Sequence, residues 1–188
     1  QIVCGAPNVR EGMVTAVCKV GGSVIAGKIK VGKLVGVESY GMCCAEDELG
    51  LGADDAGIMD ILEPVTIGQD IKEVWPIDDV VLEIDNKSLT NRPDLWGHYG
   101  FAREFAAIFN RELKKVPVED LSKYESLPEV KINIETENCF RYSSVCVENI
   151  DSKKSPRTMA IRLNYAGMRD INLLADLTNY VMLDLGLP

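Results

Sequence analysis

An α+β chain of more than one unit is what this sequence predicts, and three observations predict it. Residues 1 to about 70 are short Gly- and Val-rich apolar runs broken by turn residues. Residues 95–109 carry an aromatic stripe at four-residue spacing, and the last third holds two helical segments with their own start and stop signals. The chain has 188 residues, 46% hydrophobic and 26% charged, which excludes collagen-like and wholly disordered classes. No apolar run reaches the roughly 18 residues of a spanning helix, and no basic n-region precedes an apolar stretch, so neither a membrane span nor a secretory signal is expected.

In the first segment, Met13–Val20 and Ser23–Ile29 flank Gly21-Gly22, a dipeptide suited to a hairpin because both residues accept positive φ. The runs 31–37, 38–42, 58–62 and 65–67 follow. Short strands with frequent glycine predict a small barrel, since glycine permits sharp strand bends. Val80–Asp85 alternates, which predicts a half-buried strand with Val80, Leu82 and Ile84 on one face.

Thr90-Asn91-Arg92-Pro93-Asp94 leads into a helix over 95–109, where Phe101, Phe105 and Phe109 mark a core-facing stripe and Asn110 a left-handed stop. Residues 130–134 and 142–147 alternate as a strand pair. Ser155-Pro156 predicts a helix start, with Ser155 accepting from free amides and Gly167 ending the helix. Asn172 caps the last helix, which runs to Gly186.

Charge and cysteine content bound the function. Lys and Arg number 20 against 29 Asp and Glu, a net −9, so the surface as a whole repels phosphate and tight nonspecific nucleic-acid binding is not expected. Residues 1–70 hold five basic and ten acidic side chains, yet four of the five, Lys19, Lys28, Lys30 and Lys33, fall close together and leave room for a local basic strip. Six cysteines without a Cys-x-x-Cys read as reduced cytosolic thiols, and the adjacent Cys43-Cys44 as small hydrophobes on opposite faces of a strand. One histidine and unpaired cysteine spacing give no metal-ligand pattern.

Three side chains stand out on other grounds. Arg92, before a proline-led helix entry, projects toward a partner or a neighbouring carboxylate, and spacing does not choose between them. His98 opens the aromatic helix, where a structural hydrogen bond is favoured over catalysis. Arg169, in a tight link between two helices, either binds a ligand carboxylate or phosphate or pairs with Asp170 or Asp176.

Several long motifs occur in a fixed order: 2–8 (Ile-Val-Cys-Gly-Ala-Pro-Asn), 39–44 (Ser-Tyr-Gly-Met-Cys-Cys) with 48–51, and 82–84 with 90–95 (Thr-Asn-Arg-Pro-Asp-Leu) and 100–104. They continue with 169–171 and 176–188 (Asp-Leu-Thr-Asn-Tyr-Val-Met-Leu-Asp-Leu-Gly-Leu-Pro). In this the chain resembles the bacterial phenylalanyl-tRNA synthetase beta subunit along essentially its whole length, and the start at Gln1 and the end at Pro188 read as cut from a longer protein.

The resemblance implies an α+β architecture in three parts. Residues 1–72 would be a partial OB-type barrel of the tRNA-binding kind, 73–118 a small α+β domain, and 119–188 the start of an α+β editing domain. It also implies a ligase that joins phenylalanine to its tRNA, with ATP and Mg2+ used by the whole α2β2 enzyme and none bound to this chain, and a cytoplasmic location. The alpha subunit and the phenylalanine tRNA would be its partners. Arg169 and, more weakly, Asn179 would belong to the pocket that hydrolyses mischarged tyrosyl-tRNA, a pocket this chain is expected to leave incomplete. Lys19, Lys28, Lys30 and Lys33 are the candidates for weak tRNA contact, and Arg92 and His98 for partner contact. Two rival readings are a free-standing OB-type RNA-binding protein and a non-catalytic subunit-interface module.

Overall fold

Six short strands, five helices and three single 3-10 turns make up the computed structural model, which describes residues 1–152 and 154–187. The strands are β1 (Val17–Lys19), β2 (Ser23–Val24), β3 (Gly27–Lys28), β4 (Gly32–Leu34), β5 (Val37–Ser39) and β6 (Gly41–Cys43). The helices are α1 (Glu46–Leu49), α2 (Ile71–Val74), α3 (His98–Ile108), α4 (Arg157–Tyr165) and α5 (Leu173–Leu185). The 3-10 turns span Lys87–Leu89, Pro93–Leu95 and Ser122–Tyr124.

The strands form three separate antiparallel pairs, β1 with β6, β2 with β3 and β4 with β5, and among the described residues these do not close into a barrel. Gly21-Gly22 does turn the chain, with Gly21 at φ 92° and the Gly22 N–H donating to the Lys19 carbonyl at 3.0 Å. It does not, however, join the two halves of one hairpin. β1 instead pairs with β6, Cys18 opposite Met42, while β2 folds onto β3 across Ile25-Ala26. In the β4–β5 hairpin, Val35 (φ 50°) and Gly36 (φ 82°) both take positive φ, the two-residue turn that matches strand twist. A β-branched residue is rarely found there, and Val35 is 99% exposed, so only its backbone is asked to fit.

The β1–β6 ladder continues as irregular backbone pairing. The Cys44 N–H donates to Ala16, Met59 to Cys44 and Ile61 to Val14, each at 2.9 Å. Asn8 fastens the same strip from outside: its amide donates to the Ile58 carbonyl at 2.7 Å and accepts from the Ile58 N–H at 3.0 Å. A Cβ on Gly57 would lie 2.4 Å from the Asn8 Oδ1, so that position admits only glycine without a shift. Ala16, Cys44, Leu51, Met59, Trp75 and Ile161 form the buried core, and α4 therefore completes a core begun by the first 75 residues.

Helix ends follow the local chemistry. Asn172 accepts from the Leu174 and Ala175 N–H groups at 3.2 and 3.1 Å, and Gly186 closes α5 at φ 73°. Gly167 (φ 80°) follows α4 and Asn110 (φ 49°) follows α3. At the start of α4 the expectation for Ser155 is corrected. Pro156 is the N-cap, and the Ser155 hydroxyl donates to Asp176 instead, because α5 brings that carboxylate within reach.

Two predicted strand regions are also corrected. Residues 80–85, with Val80 79% and Leu82 72% exposed, and residues 130–147 form no ladder. Alternation fixes which residues share a face but supplies no partner, and no second strand lies alongside either run among the described residues. The stripe on α3 departs from expectation as well: Phe101 is half-buried, while Phe105 and Phe109 are exposed and stack only on their neighbours, with ring centroids 6.0 and 6.2 Å apart.

Candidate functional site

α4 and α5 pack against each other, and the link between them, residues 166–172, is tied on both sides of Arg169. On the near side the Gly167 N–H donates to the Asn164 carbonyl at 2.9 Å and the Met168 N–H to Leu163 at 2.8 Å, satisfying carbonyls that a helix end leaves open. Asn164 Nδ2 donates to Asp170 at 3.1 Å. On the far side the Ile171 N–H donates to Asp176 Oδ1 at 2.8 Å, and the other oxygen of Asp176 accepts from Ser155. Asp176 is only 1% exposed, so a carboxylate at the positive end of α5 is held in place by the link and by Ser155.

Both acids that could have neutralised Arg169 are thus engaged elsewhere, and Arg169 makes no ion pair among the described residues. Its side chain is exposed, and it lines neither of the hollows beside α3. Asn179 is half-buried on α5, one residue before Tyr180, whose hydroxyl accepts from Arg162 of α4 at 2.8 Å.

Lys19, Lys28, Lys30 and Lys33 are all exposed and none is in an ion pair among the described residues. They lie on or beside strands of three different pairs. Lys33 stands opposite Glu38 in the β4–β5 register, which tempers its positive charge, and Glu38 in turn accepts from the Tyr40 hydroxyl at 2.5 Å. That bond pushes the Tyr40 hydroxyl pKa up, because losing the proton would set two anions together.

Arg92 meets neighbouring carboxylates. It grips Asp94 with two bonds at 2.9 and 2.8 Å and reaches Glu104 at 3.1 Å, while Arg103 adds a third bond to Asp94 at 2.7 Å. The Arg92 bonds hold the Asp94 carboxyl well below the usual carboxylate range, and the same acids raise the Arg92 guanidinium further. His98 makes the structural bond, its Nδ1 lying 2.8 Å from the Leu183 carbonyl, which joins the start of α3 to the end of α5. Two open hollows flank the exposed face of α3, of about 830 and 740 Å³, and His98, Ala102, Phe105 and Asp184 line both.

A buried ion pair between Arg157 and Glu46, with the guanidinium 5.9 Å from the centre of the Trp75 ring, was not legible in the sequence, since the partners are 111 residues apart. Among the described residues no group of three His, Cys, Asp or Glu side chains converges on one point.

Comparison with known proteins adds a second line of support. Residues 1–70 match the tRNA binding domain family, and residues 138–188 match the B3/4 domain family. Along its whole length the chain is similar to phenylalanine–tRNA ligase beta subunits: 41% identical over 192 residues to that of Solibacter usitatus and 41% over 192 to that of Desulfotalea psychrophila. The identity to the Anaeromyxobacter dehalogenans subunit is 42% over 193 residues. The chain covers 23%, 23% and 24% of those relatives, so it spans about a quarter of their length. Through the two domain matches and the similarity across all of its residues, the chain is similar along its whole length to phenylalanine–tRNA ligase beta subunits.

Proposed function

We propose that this chain serves as part of a phenylalanine–tRNA ligase beta subunit, in an assembly with an alpha subunit that joins phenylalanine to its tRNA using ATP and Mg2+ in the cytoplasm. Residues 1–72 act as an OB-type unit making weak tRNA contact through Lys19, Lys28, Lys30 and Lys33. Residues 73–118 are a small connecting domain, and residues 119–188 supply one wall of a pocket that hydrolyses tRNA mischarged with tyrosine. The OB-type reading is supported by the β1–β6 ladder and its continuation through Ile58–Ile61.

The observation that carries the editing role is Arg169: a guanidinium on a link tied at both flanks, with Asp170 and Asp176 both occupied by other donors. A cation held so, with no internal partner among the described residues, is suited to a carboxyl or phosphate oxygen of an aminoacyl-tRNA. Asn179, on α5, supports that wall. Rejecting phenylalanine while accepting tyrosine requires a buried polar partner for the tyrosine hydroxyl, since an unpaired buried oxygen costs about 1–3 kcal/mol.

The test uses the full-length subunit assembled with its alpha partner and tyrosyl-tRNA. Arg169→Ala should lower deacylation by about tenfold to a hundredfold, the worth of one charge-assisted hydrogen bond, with phenylalanine attachment retained. Unchanged deacylation would remove Arg169 from the pocket. A purely architectural role at a subunit interface is the second reading, favoured by the uncovered aromatic face of α3. It predicts that α3 variants weaken capture of the alpha subunit while Arg169→Ala changes nothing.

A further inference from the structure

Taking a carboxylate out of water is costly unless donors replace its hydration. Asp176, on the first turn of α5, is 1% exposed and forms no ion pair among the described residues. Two neutral donors hold it instead. The Ile171 N–H reaches Oδ1 at 2.8 Å, and the Ser155 hydroxyl donates to Oδ2. Neither bond is needed to start α5, because Asn172 already caps that helix through the Leu174 and Ala175 N–H groups. One donor lies before α4 and the other after it, so the carboxylate fastens the link between the helices to the chain that enters α4.

From Gly167 to Asn172 every residue but one is tied. The Gly167 and Met168 N–H groups donate to carbonyls of α4, the Asp170 carboxylate accepts from Asn164, Ile171 donates to Asp176, and Asn172 caps α5. Arg169 makes no hydrogen bond among the described residues, and its side chain is exposed. Backbone fixed on both sides of a guanidinium limits the directions in which that group can meet a ligand, and leaves its N–H donors for the ligand's oxygens.

We propose that Asp176 is a positioning residue for the deacylation of mischarged tRNA: by tying Ile171 and Ser155 together, it sets where Arg169 meets the aminoacyl-tRNA. The inference rests on the proposed role of Arg169 and adds a buried group that acts only through it. An aspartate suits the task because both of its oxygens accept, matching two donors. Asparagine keeps an accepting oxygen for Ile171, and the Ser155 hydroxyl can turn to accept from the amide, so both ties survive. Alanine removes both.

The test measures tyrosyl-tRNA deacylation and phenylalanine attachment by the full-length subunit assembled with its alpha partner, with Arg169→Ala beside the Asp176 variants. Asp176→Ala should slow deacylation by about tenfold to a hundredfold, the scale of a binding group displaced by about an ångström, with phenylalanine attachment retained. Asp176→Asn should recover most of that loss. In the Arg169→Ala background, adding Asp176→Ala should slow deacylation no further, a result that a general loss of structure would not give. Should Asp176→Ala prevent assembly, Ser155→Ala leaves the Ile171 tie in place and carries the same comparison. A loss that adds to that of Arg169→Ala, an Asn variant as slow as the Ala one, or undiminished deacylation in Asp176→Ala (or in Ser155→Ala where it stands in) while Arg169→Ala is slow, would each overturn this proposal and leave Arg169 in the pocket. Undiminished deacylation in Arg169→Ala would overturn the role of Arg169 and this proposal with it.

Discussion

Asp94 sits at the meeting point of two guanidinium groups, and its protonation ties local geometry to pH. Its carboxyl titrates below the usual range because Arg92 grips it, with Arg103 adding to the effect against the opposing influence of burial. A free aspartate titrates near about 3.9. A folded value beneath that means the group favours the native state fully above pH of about 4, and loses that contribution as pH falls toward the folded value. The melting-temperature gap between the native chain and Asp94→Asn should therefore be flat from neutral pH down to about 5 and narrow only below about 4. A gap that widens in acid would contradict the assignment. Arg92 itself shows what one residue's sequence context can convey. Pro93 and Asp94 mark a helix entry and leave a partner or a neighbouring carboxylate open, and Asp94 itself takes the guanidinium, with Glu104 of α3 as a second acceptor that spacing alone could not weight.

At the scale of elements, glycines decide how the start of α3 meets the end of α5 and the turn that precedes α3. A Cβ on Gly97 would lie 2.2 Å from the Gly186 nitrogen, and one on Gly100 would lie 1.5 Å from the Asp94 carbonyl oxygen. The His98 bond to Leu183 closes the same junction. Gly97→Ala and Gly100→Ala should each destabilise by about 1–3 kcal/mol in urea unfolding, because backbone must move to admit the methyl group. Gly5→Ala, with no atom within 4 Å of its added Cβ, is the control and should change stability by no more than about 0.5 kcal/mol. Equal effects at all three positions would remove the steric argument. Helix ends were legible beforehand because caps are local: Asn172, Gly186, Gly167 and Asn110 each act within a few residues of their own position. Strand pairing was not, because the partner of β1 lies about two dozen residues away in β6, and nothing in Val17–Lys19 names it. The Arg169 link falls between these cases. The sequence placed the residue, but its freedom from Asp170 and Asp176 depended on Asn164 and Ser155 claiming those acids.

Across the whole molecule, the junction of α4 with the first 75 residues decides whether the two ends of the chain fold together. Ile161 is fully buried in the core that also holds Ala16, Cys44, Leu51, Met59 and Trp75, and the Tyr165 hydroxyl donates to the Ile77 carbonyl at 3.0 Å. The ion pair in this junction is Arg157 to Glu46, with side chains 16% and 9% exposed and Trp75 beneath the guanidinium. Removing one partner strands the other as an unpaired buried charge, at about 3–5 kcal/mol, whereas the intact pair contributes little over a well-packed apolar substitute. Arg157→Met and Glu46→Gln should each therefore cost about 3 kcal/mol or more in urea unfolding, and the double variant should cost no more than either single one. Trp75 reports on the same event once Trp96, which is exposed, is replaced by Phe. Its emission should change in one transition together with the loss of helix signal in the native chain, and ahead of that loss in either single variant. Additive costs in the double variant would mean that the two side chains do not depend on each other, and that apolar packing around Ile161 alone holds α4 to the first unit.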